Sequence, residues 1–203
     1  TAGNIAYNLS LLNSSAIIMA TVGEDFSAYE KRLSKFDIVQ DYIKVVSESL
    51  TAQAYITTDL DDNQITAFHP GAMMESHQNS ISSVTEKVDL AIIAPSGKEG
   101  MIKHAQECSE KKIPFIFDPG QGLPMFDKIE LNAFIDQATY IAVNDYEAEL
   151  LMKVSGLNIS EIQKKVEALI ITKGAHGSEI YCDNKITIAP IKAESTIDPT
   201  GCG

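Results

Sequence analysis

Apolar residues along the chain fall into two alternating kinds of run. Short unbroken runs occupy Ala16–Val22, residues 90–94, 114–117, 140–143 and Ala168–Thr172. Between them, apolar positions return every three or four residues over 5–12, 26–33, 99–110, 131–137, 146–154 and 159–166. The first kind predicts strands buried on both faces, the second amphipathic helices. Strands of that type separated by helices predict parallel β-α-β units and an α/β fold. Residues 51–68 break the rhythm with two β-like runs around an Asp/Asn cluster at 59–63, which predicts a hairpin. Such a ribbon can serve as a lid over a site, as a dimer surface or as a plain edge hairpin. A second hairpin is predicted over 178–189, turning at Asp183-Asn184. No linker or repeat divides residues 1–203, so a single domain is expected.

Composition narrows the partners. The chain carries 28 acidic and 16 basic residues, a formal net charge of -12. That balance disfavours nucleic acid and anionic membrane surfaces. It leaves room for a phosphate held by backbone N–H groups and a metal. No apolar run reaches membrane-spanning length. The three cysteines, Cys108, Cys182 and Cys202, are scattered. They read as free thiols in a reducing cytoplasm rather than as a disulfide framework.

The polar residues of interest follow the strands. Asp118-Pro119-Gly120 follows one, Asn144-Asp145-Tyr146-Glu147 the next, and Thr172-Lys173-Gly174-Ala175-His176-Gly177 the next. Open parallel sheets bind ligands at those carboxyl ends. Asn144 or Asp145 can also simply cap the following helix, and Phe68 can simply pack into a core. The last residues, Asp198-Pro199-Thr200-Gly201-Cys202-Gly203, form a glycine-rich turn able to aim several N–H groups at one anion. There is no G-x-x-x-x-G-K-S/T phosphate loop, no G-x-G-x-x-G after the first strand, and no G-x-S-x-G elbow. The histidines His69, His77, His104 and His176 have no metal-ligand spacing; His104 is expected on a helix surface.

Taken together, these motifs resemble the ribokinase-like (PfkB) family of carbohydrate and nucleoside kinases. The closing stretch resembles its D-T-x-G-A-G-D signature, with Pro199 and Cys202 as departures and the final Asp absent. Asn144 to Glu147 is similar to its N-x-x-E motif, and Thr172 to Gly177 to its T-x-G-x-x-G turn. Thr1-Ala2-Gly3-Asn4 resembles the end of a G-G-x-x-x-N motif whose leading glycines are missing, so both ends look truncated. Residues 51–72 are similar to the family's lid, and D-P-T-G resembles a bacterial branch close to adenosine kinases.

The resemblance implies a three-layer α/β/α fold with a mostly parallel sheet and a small β-hairpin lid. It implies an ATP-dependent kinase acting on a hydroxymethyl group of a nucleoside, with adenosine leading. A ribose- or fructose-type sugar kinase and a non-catalytic binding relative are the alternatives. It further implies an anion hole from the N–H groups of Gly201, Cys202 and Gly203, with an Asp base directly after Gly203. Asn144 and Glu147 would organise Mg²⁺ through water. Thr172, Gly174 and Gly177 would meet the ATP phosphates. Gly3, Asn4, Phe68 and His69 would meet the substrate, Asp198 and Thr200 would hold K⁺, and the hairpin would pair two copies.

Overall fold

The structure, a computed structural model, describes residues 1–36, 38–59 and 64–192. In chain order it contains α1 (Ala2–Leu11), β1 (Ala16–Val22), α2 (Ser27–Leu33), β2 (Ile38–Val45), β3 (Gln53–Thr58), β4 (Gln64–His69) and β5 (Ala91–Ile93). There follow α3 (Lys98–Lys111), β6 (Phe115–Phe117), α4 (Lys128–Gln137), β7 (Tyr140–Asn144), α5 (Asp145–Ser155), α6 (Ile159–Gln163), β8 (Ala168–Thr172), β9 (Ser178–Tyr181) and β10 (Lys185–Ile188).

The strands β5 to β8 pair in parallel, and β8-β9-β10 continue the sheet antiparallel, in the order β10-β9-β8-β7-β6-β5. Side chains alternate across a strand. One face therefore carries Ile93, Phe115, Phe117, Ile141, Val143, Leu169 and Ile171, all buried. Onto it fold Met101, Ala105 and Cys108 of α3, Leu131, Phe134 and Ile135 of α4, Ala148 and Leu151 of α5, and Ile162 of α6. Their spacing of three, four and seven residues places each set on one helix face. Phe117 stacks on Phe134 at 4.2 Å, and Phe126 meets both rings edge-on. Ring pairs of this kind add about 0.5–1.5 kcal/mol each beyond their burial. A second, smaller core joins Ala6 of α1, Ala16 and Ile18 of β1, Leu33 of α2 and Ile38 of β2.

The alternation of strands and helices thus forms the expected α/β fold. Two details differ from the sequence pattern. The helix predicted over 159–166 stops at Gln163. The strand β2 was not predicted. Between Ile17 and Met19 of β1, β2 advances from Val39 to Tyr42, so three steps face two. This bulge inverts the in-out alternation midway, which erases the strand period from the sequence.

The first hairpin pairs β3 with β4 from Gln53↔His69 to Thr58↔Gln64, and the second pairs β9 with β10. Both hairpins fall where they were expected. The β3–β4 ribbon stands apart from the larger sheet, and Tyr55, Ile56, Ile65 and Phe68 on it are exposed.

Candidate active site at the carboxyl edge of the sheet

Register brings two motifs together before any side chain is considered. In the parallel ladder of β7 and β8, Asn144 is the direct partner of Thr172. Val143 and Ile171 below them are buried, whereas Asn144 and Thr172 are half-buried at the rim.

Asn144 ends β7 and starts α5. Its Oδ1 accepts from the Glu147 N–H at 2.7 Å, and its own N–H donates to Glu147 Oε2 at 2.9 Å. The N-x-x-E motif is physically a capping box. The box uses Oε2 and leaves Oε1 able to accept from another donor. Glu147 lies in the first turn of α5, where the helix dipole favours negative charge.

Asp118 follows β6, and its N–H donates to the Ile93 carbonyl at 3.0 Å. Its carboxyl is pushed up to about 6, first by burial and then by repulsion from Glu147. Thr1, at the start of α1, lies near the same carboxyl. The start of α1, the Asp118 carboxyl and the Glu147 carboxyl therefore share one neighbourhood. Two carboxyls that repel one another in a half-buried setting suit a cation or its bound waters. Among the described residues no group of three acidic, histidine or cysteine side chains forms a metal cage.

Beyond Thr172, the turn Gly174–His176 runs along the surface. Gly174 has φ +52, and a Cβ there would meet nothing within 4 Å, so it opens directly on space. At Gly177, φ +84, a Cβ would collide with the Ile188 carbonyl. The close approach of β10 thus demands glycine at 177. Lys173 pairs with Glu179 at 2.7 Å, and Lys185 reaches the other oxygen of that carboxylate at 2.8 Å. Lys173, Lys185 and Tyr181 hold Glu179 down to about 2.

The remaining candidates are placed less closely. Asn4 is exposed on α1. A Cβ on Gly3 would strike the Tyr29 ring, so the close approach that Gly3 permits is by that side chain. Phe68 and His69 lie on β4, and Phe68 is 54% exposed, which overturns its reading as a core residue. His104 is half-buried rather than on an open surface, with Nε2 3.3 Å from the Asn79 carbonyl, and burial holds its pKa below the ordinary value. Cys108 and Cys182 are free thiols. Asp198, Thr200, Gly201, Cys202 and Gly203 lie outside the described residues. Asp118 was visible as a polar residue at a strand end, but only the fold sets it against Glu147. Among the described residues no helix is long and apolar enough to cross a membrane.

Comparison with known proteins points the same way. The family model described as pfkB family carbohydrate kinase matches residues 1–203. A nucleoside kinase of Methanocaldococcus jannaschii is 35% identical over 205 residues, covering 100% of this chain and 67% of that protein. A ribokinase of Bacillus subtilis is 27% identical, covering 98% of this chain and 68% of its own. A Burkholderia thailandensis nucleoside kinase, solved in complex with inosine, superposes with a TM-score of 0.96 at 50% identity, covering 99% of this chain and 68% of that one. The chain thus spans about two thirds of the length of the relatives it matches. A parallel sheet with the N-x-x-E and T-x-G-x-x-G motifs as neighbours at its carboxyl edge, matched from end to end by one family model, places this chain in the pfkB family of carbohydrate kinases.

Proposed function

We propose that this chain is the larger part of an ATP-dependent nucleoside kinase. The observation that carries the reading is the ladder pair Asn144↔Thr172, with Glu147 and Asp118 beside it. It sets a half-buried acidic pair next to a glycine turn that opens on space, an arrangement suited to a metal–triphosphate. Thr172, Gly174 and Gly177 are assigned to the phosphates. Mg²⁺ would be held by Glu147 and Asn144 largely through water, with Asp118 as the second carboxylate, and when bound it would neutralise phosphate charge. Glu147 can serve because the capping box fixes its carboxylate while sparing Oε1.

The N–H groups of Gly201, Cys202 and Gly203 are assigned to the transferring phosphoryl group. An Asp directly after Gly203 is assigned as base for the acceptor hydroxymethyl. Asp198 and Thr200 are assigned to K⁺. Gly3, Asn4, Phe68 and His69 are assigned to the nucleoside, and the exposed ribbon to pairing of two copies.

The inosine complex of the Burkholderia thailandensis relative supports a purine nucleoside as acceptor. Adenosine is the first choice among these. A ribose-type acceptor is the second reading, supported by the Bacillus subtilis ribokinase. The full-length protein, assayed with labelled ATP against adenosine, inosine, ribose and fructose, decides between them. Transfer to a nucleoside is expected; transfer to a free sugar alone would install the second reading, and transfer to none would remove both.

A further inference from the structure

The β3–β4 ribbon meets the body of the protein through a knot tied at one carboxylate. Asp25 lies in the short turn Glu24–Phe26 that follows β1. Its Oδ1 accepts from the Thr51 N–H at 2.8 Å and from the Thr51 hydroxyl at 2.7 Å. Its Oδ2 accepts from Gln53 Nε2 at 3.1 Å. The same Thr51 hydroxyl accepts from the Gly23 N–H at 3.0 Å, so this side chain is held from two sides. The Glu24 N–H donates to the Ser49 carbonyl. On the returning side, the Ala72 N–H donates to the Leu50 carbonyl at 2.9 Å, and the buried Thr21 hydroxyl donates to the Ala72 carbonyl at 2.6 Å. A Cβ at Gly23 would collide with the Ser49–Leu50 backbone, and one at Gly71, φ +47, with the Leu50 carbonyl. Both glycines are required by how tightly the ribbon's feet are drawn in.

Above its feet most of the described residues of both strands are exposed. The clamp reaches the proposed substrate residues in one step. Gln53, gripped by Asp25, is the ladder partner of His69, and the next pair is Ala54↔Phe68. We infer that Asp25 is a positioning residue that sets the attitude of the ribbon, and through Gln53 the presentation of its ladder partner His69 to the nucleoside. Hydrogen bonds to an ionised acceptor are the stronger kind, and donation by Thr51 holds this carboxyl below its ordinary range.

The inference rests on the proposed role of the ribbon at the nucleoside, so the test reads the clamp with and without substrate. The full-length protein is compared with its Asp25→Ala, Asp25→Asn and Thr51→Val variants. Hydrogen exchange of amides 53–58 and 65–69 is followed without ligand, and KM for nucleoside and for ATP is measured separately. Asp25→Ala is expected to speed exchange of the ribbon amides about tenfold, reflecting easier local opening. It should raise the nucleoside KM about tenfold while the ATP KM stays within about twofold. Asp25→Asn keeps an acceptor for the Thr51 N–H but sets an NH₂ donor against Gln53 Nε2, so it should recover part of the exchange loss and little of the rise in nucleoside KM. Thr51→Val gives the same readouts should Asp25→Ala fold poorly. Unchanged exchange overturns the clamp. Faster exchange with an unchanged nucleoside KM, or with an equal rise in the ATP KM, overturns the positioning role. A wild-type protein that phosphorylates no nucleoside would remove the proposed function, while the exchange arm would still judge the clamp.

Discussion

The chain carries the pattern N-x-x-E twice, at Asn144–Glu147 and at Asn158–Glu161, and the two helix starts are built almost identically. Each Asn side chain caps the N–H of its Glu, at 2.7 and 3.0 Å, and each Glu reaches back to the Asn N–H, at 2.9 and 2.8 Å. What differs is the surroundings. The first box follows β7 and is half-buried beside Thr172, with its Glu repelling Asp118; the second follows the turn at Gly156 and is exposed. The shared pattern therefore reports a helix start. Chemistry is added by position at the carboxyl edge, where a neighbouring strand and a second carboxylate converge on the first box alone.

The sharpest way to break this contrast is to remove the charge from each box in the full-length protein. Glu147→Gln is expected to lower kcat by about a hundredfold or more and to shift the Mg²⁺ concentration needed for half-maximal rate. Glu161→Gln should leave the rate within about twofold. Equal rates in the two variants would dissolve the distinction.

Next in size is the pH dependence conferred by Asp118. Its pKa in the fold, about 6, lies above the ordinary 3.8, so the native state binds this proton more tightly than the unfolded chain. The associated stability is complete below about pH 4 and is lost as pH rises through about 6. Asp118→Asn should therefore raise Tm relative to wild type above about pH 6, and the gap should close below about pH 4. A constant gap across that range would show that neither the burial of this carboxyl nor its repulsion by Glu147 raises its pKa.

The smallest difference concerns the caps themselves. Asn144→Ala and Asn158→Ala should each cost about 1 kcal/mol in urea unfolding. Only the first should also slow turnover; a slower rate in the second would blur the two helix starts again.

Much of the α/β framework was legible because β5 to β8 are apolar up to their carboxyl ends and their helices keep a clean period, as with Met101, Ala105 and Cys108. The strand β2 was not, since its bulge interrupts the alternation on which a reader relies. Nor was the exposure of Phe68 legible. The ribbon carries Tyr55 and Ile65 on one face and Ile56 and Phe68 on the other, and a strand apolar on both faces reads as buried. At the site, Asn144, Glu147 and Thr172 announced themselves by motif. Asp118 did not, because its distinction is proximity to Glu147, which arises only when β6 and β7 lie side by side. Gly3 illustrates the reverse, a motif glycine whose near neighbour proves to be Tyr29.

The ladder between β7 and β8 also governs which changes this architecture tolerates over evolutionary time. Because hydrogen-bond registry alone sets Asn144 against Thr172, the intervening α5–α6 stretch can gain or lose residues at its loops without disturbing them. A single-residue insertion inside β8 has the opposite effect, turning Thr172 toward the other face of the sheet and parting the two motifs at once.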